Sequence, residues 1–276
     1  MPELPEVETV CRGLQDTITG SRLEKVIARR SDLRLPLPED FGQRLTGRTI
    51  SSVARRAKFI LISLDNDSVL IGHLGMSGRI RIFNSTPPPE ERHDHVIFET
   101  NSGVTIRFND PRRFGFLDIV DGSYLNTHRY LKNLGPEPLD DAFDGSLLIY
   151  RLAKKMTSLK AALLDQRIVA GLGNIYVCEA LHLAGLSPRR RAGTVGTLRA
   201  ARLSDGIKLV LKRAIQAGGS SLRDHRQPNG ELGYFQHNFQ VYNREGEDCI
   251  KCGSGYLVKR IVQSGRSTFF CSHCQR

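Results

Sequence analysis

Four of the six cysteines in this 276-residue chain form two close pairs, Cys249-x2-Cys252 and Cys271-x2-Cys274, with 18 residues between the pairs. Two such knuckles of soft thiolates can close a tetrahedral zinc shell. Four thiolates leave no coordination position for water, so the expected Zn2+ is structural and not catalytic. The competing reading, two disulfides, needs an oxidising compartment. Between the pairs, residues 256–262 and 267–270 read as strands, with Gln263-Ser264-Gly265-Arg266 as the turn. Arg266 is then expected at or beside the tip of a metal-braced hairpin, where its planar fork suits phosphate; a solubilising charge is the plainer alternative. His273 is expected to be a bystander, and Cys11 and Cys178, alone in helical patterns, small core residues.

Charge points the same way. Lys and Arg number 40 against 29 Asp and Glu, a net of +11, and the excess is concentrated: residues 187–276 carry 16 against 6. A basic C-terminal third suggests a polyanionic partner, nucleic acid first, with a solvated basic surface as the alternative. With 39% hydrophobic and 25% charged residues the composition is that of an ordinary globular protein. No apolar run approaches the ~20 residues a membrane helix needs. Glu3, Glu6 and Glu8 precede any basic residue, unlike a secretory signal or transit peptide, so a cytoplasmic location is expected.

These groups need elements to position them. Val7, Val10, Cys11, Leu14 and Ile18 recur at helical spacing and stop at Gly20, predicting a helix over 5–19. Short β-rich segments at 58–62, 68–71, 95–98 and 104–108 are separated by Asp65-Asn66-Asp67, Pro87-Pro88-Pro89 and Asn101-Ser102-Gly103. That alternation predicts an antiparallel sandwich or barrel. Gly135-Pro136-Glu137-Pro138 reads as a linker, with helices beyond it at about 145–156, 159–166, 173–184 and 195–217. From Gly218 to about Phe235 no element pattern is visible, and a stretch that long is usually functional or disordered.

The run Met1-Pro2-Glu3-Leu4-Pro5-Glu6-Val7-Glu8-Thr9-Val10 resembles the start of the formamidopyrimidine-DNA glycosylases. So do His73-Leu74-Gly75-Met76-Ser77-Gly78, Asp110-Pro111-Arg112-Arg113-Phe114-Gly115 and Leu134-Gly135-Pro136-Glu137-Pro138. Leu163 to Gln166 followed by Val169 to Tyr176 resembles that family's helix–two-turn–helix, and the cysteine quartet its zinc finger. The resemblance spans essentially the whole chain. It implies an α+β multidomain fold: an N-terminal helix plus antiparallel β-sandwich, then a helical helix–two-turn–helix domain with a β-hairpin zinc finger. The implied division is a catalytic domain over 1–130, a linker region over 131–150, the helix–two-turn–helix domain with a lesion-recognition loop over 151–235, and the zinc finger over 236–276. The implied activity is that of a monomeric DNA glycosylase and AP lyase of base excision repair. It would act on oxidised purines (8-oxoguanine, formamidopyrimidines) in damaged double-stranded DNA, with one structural zinc and no membrane partner. The related endonuclease VIII branch, which prefers oxidised pyrimidines, typically begins Pro-Glu-Gly-Pro-Glu; Leu4 and Asn174-Ile175-Tyr176 favour the purine branch. A non-catalytic zinc-containing protein that binds damaged DNA is the other alternative, but binding alone needs none of Pro2, Glu3 and Lys58.

The resemblance also implies roles. The Pro2 nitrogen is an inert amide until Met1 is removed; as a free amine it would titrate at about 8 and could attack C1′ of the damaged nucleotide. Glu3 matches the general acid, Glu6 a supporting acid, and Lys58 a catalytic lysine that contacts the phosphate by the lesion. For Glu8, favourable charge in a first helical turn suffices. Met76, Arg112 and Phe114 match the trio inserted where the base leaves the stack, with Arg112 pairing to the orphaned base, preferably cytosine. The plainer reading of Met76 and Phe114 is core, against which stand the glycines around Met76 and the arginines before Phe114. His93, Lys160, Asn174 and Arg266 match phosphate contacts, with Arg266 also counted in the catalytic set beside Pro2, Glu3 and Lys58, although Asn174 could simply cap a helix. Gly219, Ser220 and Ser221 match the start of the lesion-recognition loop.

Overall fold

The computed structural model describes residues 1–220 and 233–276. The chain divides into two compact units, Met1–Lys132 with Ala217–Tyr234, and Asn133–Gln216 with Phe235–Arg276.

The first unit opens with α1 (Leu4–Ile18), whose stripe of Leu4, Val7, Val10, Cys11, Leu14 and Ile18 is buried. Pro5 falls in the first turn, where its missing N–H costs no helical hydrogen bond. Eight strands follow: β1 (Leu23–Ala28), β2 (Ile50–Arg56), β3 (Phe59–Leu64), β4 (Ser68–His73), β5 (Arg79–Phe83), β6 (Asp94–Thr100), β7 (Thr105–Asn109) and β8 (Phe116–Asp121), with the short helix α2 (Phe41–Leu45) after β1. They form two antiparallel four-stranded sheets, ordered β1-β6-β7-β5 and β2-β3-β4-β8. Val7, Val10, Cys11, Leu14 and Ile18 of α1 and side chains from both sheets, among them Ile60, Leu70, Phe98 and Ile106, form one apolar cluster. The sandwich expectation therefore holds.

Two local features shape what this unit presents. The β2–β3 hairpin turns through Ala57 and Lys58, flanked by the Arg56–Phe59 pair. Ala57 adopts φ +53°, a conformation for which two-residue hairpins usually recruit glycine, so Lys58 sits in the turn and not on the strand. The strand expected from residue 58 starts at Phe59 for this reason. At the end of β4, the His73 ring lies 5.5 Å from Phe116 at 14° and 5.0 Å from Phe59. Its Nδ1 accepts the Gly75 N–H at 3.0 Å, which fixes the first step of the following loop. Burial, then the positive charges of Lys58 and Arg34, lower its pKa to about 4.

The second unit holds α3 (Gly145–Leu152), α4 (Leu159–Leu164), α5 (Asn174–Ala184) and α6 (Thr197–Gln216), then the sheet β11-β10-β9 built from β9 (Asp248–Cys249), β10 (Gly253–Gln263) and β11 (Arg266–Cys271). Helix α3 stops short of the expected residue 156 because Ala153 leaves the helix and Lys154 takes φ +61°. Helix α5 is buried along most of its length. Its Glu179 carboxylate accepts three backbone N–H groups, from Gln240, Val241 and Tyr242, at 2.9, 3.0 and 2.8 Å. The β10–β11 turn uses Ser264 and Gly265, both at positive φ, the pairing that matches the right-handed twist of a hairpin. Among the described residues no helix is long and apolar enough to cross a membrane.

His73 carries a testable consequence. A histidine whose folded pKa is about 4 takes up its proton more readily unfolded, near pH 6.5, so its contribution is intact above pH 6.5 and is lost as pH falls toward 4. The loss is expected to reach roughly 1 kcal/mol by about pH 5.5. Thermal melts from pH 7.5 to 4.5 should therefore fall more steeply for the parent than for His73→Phe; parallel curves would disprove the assignment.

Candidate functional site

The N-terminal end of α1 is a buried polar junction. Pro2 is buried, Glu3 and Glu6 are 3% and 2% exposed, and Met1 before them is 46% exposed. Glu3 and Glu6 form a capping box, in which the Glu3 N–H donates to Glu6 Oε2 at 2.9 Å. The other Glu6 oxygen, Oε1, accepts the Ser220 N–H at 2.8 Å and the Ser220 hydroxyl at 3.0 Å. Gly219 reaches this point at φ +80°, where an added Cβ would lie 3.1 Å from Glu6 Cγ. One carboxylate thus joins the helix start to the first residues of the predicted recognition loop; Ser221 lies outside the described residues. Glu8 turns away toward Arg55 and Arg12, at 2.8 and 2.9 Å. Burial pushes its carboxyl up, but the hydrogen bonds from Arg55 and Arg12 outweigh that and hold it below its usual range. Lys58 is 7% exposed in its turn.

Two loops of the same unit present a second set. Met76 and Phe114 are 45% and 41% exposed, against the burial expected of core residues. The exposed Arg112 guanidinium lies 4.6 Å from the centre of the Phe114 ring. Beneath them, fully buried Asp110 accepts the Ser77 hydroxyl at Oδ1 (2.5 Å) and the Gly115 N–H at Oδ2 (2.8 Å). Half-buried His93 accepts the Asp110 N–H at its carbonyl, and His95 Nε2 lies 2.8 Å from the Asp110 carbonyl.

In the second unit, Arg266 is exposed at the end of the β10–β11 turn, and Ser267 beside it is pinned. The Ser267 carbonyl accepts Lys160 Nζ at 3.0 Å and Asn174 Nδ2 at 2.9 Å, and Lys160 also donates to the Thr268 hydroxyl at 2.7 Å. Lys160 is completely buried, so its ammonium braces the hairpin from below. Asn174 is the first helical residue of α5 and Gly173 is its N-cap, so the amide of Asn174 crosses to β11 and does not cap. Its Oδ1 is buried and has no hydrogen-bond partner among the described residues.

The four cysteine sulfurs lie within 4.8 Å of one another. Zinc–thiolate bonds of about 2.3 Å in a tetrahedron need S···S edges of about 3.8 Å. The Cys249–Cys274 and Cys252–Cys271 separations are 3.9 and 3.8 Å, and all four thiols are free, so the donor set fits Zn2+ and not disulfides. His273 stays out of the cluster and packs on Tyr256, ring centres 4.0 Å apart. His182 of α5 places Nε2 3.4 Å from Cys249 Sγ, an outer contact to the metal site.

Ser77, Asp110 and His182 do not stand out in the sequence alone. The first two stand inside motifs noted for their neighbours, and a serine between Met and Gly or an aspartate before proline reads as ordinary turn chemistry. His182 sits on an apolar helix 67 residues before Cys249, and only the fold brings them together.

The signature of the formamidopyrimidine-DNA glycosylase N-terminal domain matches residues 1–117, and that of the same family's H2TH domain matches residues 134–226. A formamidopyrimidine-DNA glycosylase of Rhodopseudomonas palustris is 55% identical over 293 residues, covering all of both chains. Among solved structures, a mutant Lactococcus lactis FPG in complex with a Fapy-dG containing DNA matches with a TM-score of 0.91 at 35% identity, covering all of both chains. A MutM in complex with carbocyclic 8-oxo-G containing DNA matches with a TM-score of 0.88 at 36% identity, again over both full chains. Sequence, fold and the cysteine site agree: the chain belongs to the formamidopyrimidine-DNA glycosylase family.

Proposed function

We propose that this protein is a bifunctional DNA glycosylase and AP lyase of base excision repair that removes oxidised purines, 8-oxoguanine and formamidopyrimidines, from duplex DNA. The observation that carries this reading is the Glu6 junction, where one buried carboxylate holds both the backbone that follows Pro2 and the Gly219–Ser220 segment. Relatives that share the fold hold DNA containing Fapy-dG and 8-oxo-G, which is the class of substrate assigned to this chain.

Once Met1 is removed, the Pro2 nitrogen is a secondary amine with a lone pair to offer. Attack on C1′ forms the N–C1′ bond as the bond from C1′ to the base breaks, the base leaving with the electron pair and taking up a proton. Glu3 gives a proton to the ring oxygen O4′, opening the sugar to an iminium on Pro2. That cation acidifies the C2′–H; loss of the proton expels the 3′ phosphate by β-elimination, and a second elimination expels the 5′ phosphate. Glu6 holds the Glu3 backbone, and Lys58 supplies positive charge to the phosphate beside the lesion. Met76 and Phe114 fill the space the extruded base leaves, and Arg112 pairs with its former partner. His93 is assigned a phosphate contact in the first unit, Arg266 and Asn174 in the second, with Lys160 holding Arg266's neighbour in place. Gly219 and Ser220 begin the segment assigned to lesion recognition. Zinc, when bound, supplies only a structural cross-link that fixes β10 and β11.

The division of the chain follows the same reading: catalytic domain 1–130, linker region 131–150, helix–two-turn–helix domain 151–235 and zinc finger 236–276. The protein is assigned to the cytoplasm as a monomer, associated with the nucleoid while it holds DNA.

Borohydride added to the protein and a duplex carrying 8-oxoguanine opposite cytosine should freeze the iminium as a covalent complex, provided intact mass shows Met1 absent. A protein that binds this duplex but never traps would sink the mechanism. Retained Met1 or an N-terminal tag should abolish trapping while sparing affinity.

Arg266→Ala should lower the slope of log K against log salt by about 1, the signature of one lost phosphate contact. An unchanged slope would place Arg266 off the DNA. Chelating the zinc should lower affinity at least as far as Arg266→Ala, measured beside zinc content, because the hairpin loses its cross-link. Undiminished binding by the zinc-free protein would show the metal is not needed to present Arg266.

A further inference from the structure

Two loops of the first unit carry exposed Met76, between β4 and β5, and exposed Arg112 and Phe114, between β7 and β8. Three observations show that these loops are one object. An added Cβ on Gly75 would stand 2.3 Å from the Phe114 carbonyl carbon and 2.4 Å from the Gly115 nitrogen. A Cβ on Gly115 would stand 2.7 Å from the His73 carbonyl oxygen. Between the backbones stands a single hydroxyl: Ser77 Oγ accepts the Arg112 N–H at 3.2 Å and donates to Asp110 Oδ1 at 2.5 Å. Ser77 is 8% exposed and Asp110 is fully buried.

From this geometry we infer that Ser77 is a positioning residue for opposite-base reading: its hydroxyl, held by Asp110, fixes the Arg112 backbone relative to the Met76 loop. This rests on the reading of Arg112 as the group that pairs with the orphaned base. Ser77 touches no nucleotide in this assignment. Its hydroxyl proton is committed to the carboxylate, so a lone pair on Oγ is turned toward the Arg112 N–H and the direction of both bonds is set. Losing Oγ leaves a buried carboxylate oxygen and a backbone N–H without partners, and Arg112 loses its fixed origin while its guanidinium stays intact. A reading group displaced by about 1 Å loses discrimination before it loses charge.

The experiment compares the parent, Ser77→Ala and Arg112→Ala on three substrates: 8-oxoguanine opposite cytosine, 8-oxoguanine opposite adenine, and a single-stranded oligonucleotide with an abasic site. Ser77→Ala is expected to reduce the cytosine-over-adenine ratio of kcat/KM by about tenfold while its lyase rate on the single strand stays within about twofold of the parent. The single strand has no opposite base, so it reports folding and the Pro2 chemistry alone. If Arg112→Ala loses the preference and Ser77→Ala keeps it, the positioning role is overturned and the Arg112 reading survives. If Arg112→Ala itself keeps the preference, the underlying reading fails, and the inference about Ser77 with it. If Ser77→Ala loses single-strand lyase in proportion to its duplex activity, the hydroxyl serves the fold at large and the inference is likewise overturned.

Discussion

A carboxylate taken out of water is expensive unless its oxygens are met by donors, and Glu6 meets that condition with groups from two distant parts of the chain. One oxygen takes the N–H of Glu3, the other the N–H and hydroxyl of Ser220. Both oxygens are acceptors in this arrangement. An amide in place of the carboxylate would have to turn its NH2 toward one of the donors, so no isostere keeps both sides. The start of α1 and the Gly219–Ser220 segment are therefore placed by one charged group, and the chemistry proposed for Pro2 depends on how well that group is satisfied.

A similar economy runs through the other two sets of residues. Side chains that reach solvent are neighbours, in sequence, of side chains or carbonyls that are tied down. Exposed Met76 precedes Ser77, which is bonded to Asp110; exposed Arg266 precedes Ser267, whose carbonyl takes Lys160 and Asn174. Long flexible groups lose rotamer entropy when they bind, and anchoring the adjacent backbone in advance reduces what remains to be ordered. Buried Lys160 illustrates the cost side: a completely buried ammonium needs acceptors for its hydrogens, and a carbonyl and a hydroxyl are among them.

What could be read from the chain alone follows from how local each signal is. The cysteine knuckles and the Ser264–Gly265 turn depend on residues a few positions apart, and both stand where the spacing put them. The α1 stripe is legible because one face of it is buried and its period is regular. Strands β1 and β2 escaped notice because Leu23–Ala28 and Ile50–Arg56 expose charged and polar residues that dilute any alternation. The placement of Lys58 in a turn required a non-glycine residue at positive φ, which no propensity argument favours. The partners of Lys160 and Asn174 lie about a hundred residues away, on a strand whose register decides which carbonyl faces them. Such long-range contacts were beyond reach without the fold, and so was the burial of Lys160.

The two glycines that let the Met76 and Phe114 loops interpenetrate have a consequence for inheritance. With Gly75 pressed on the Phe114–Gly115 peptide and Gly115 on the His73 carbonyl, neither glycine has room for a side chain unless the opposite loop gives way. A change at one of these contacts therefore has to be matched on the other loop. A loop exchanged alone therefore meets its neighbour's backbone at these contacts, whereas two loops exchanged together carry their own fit.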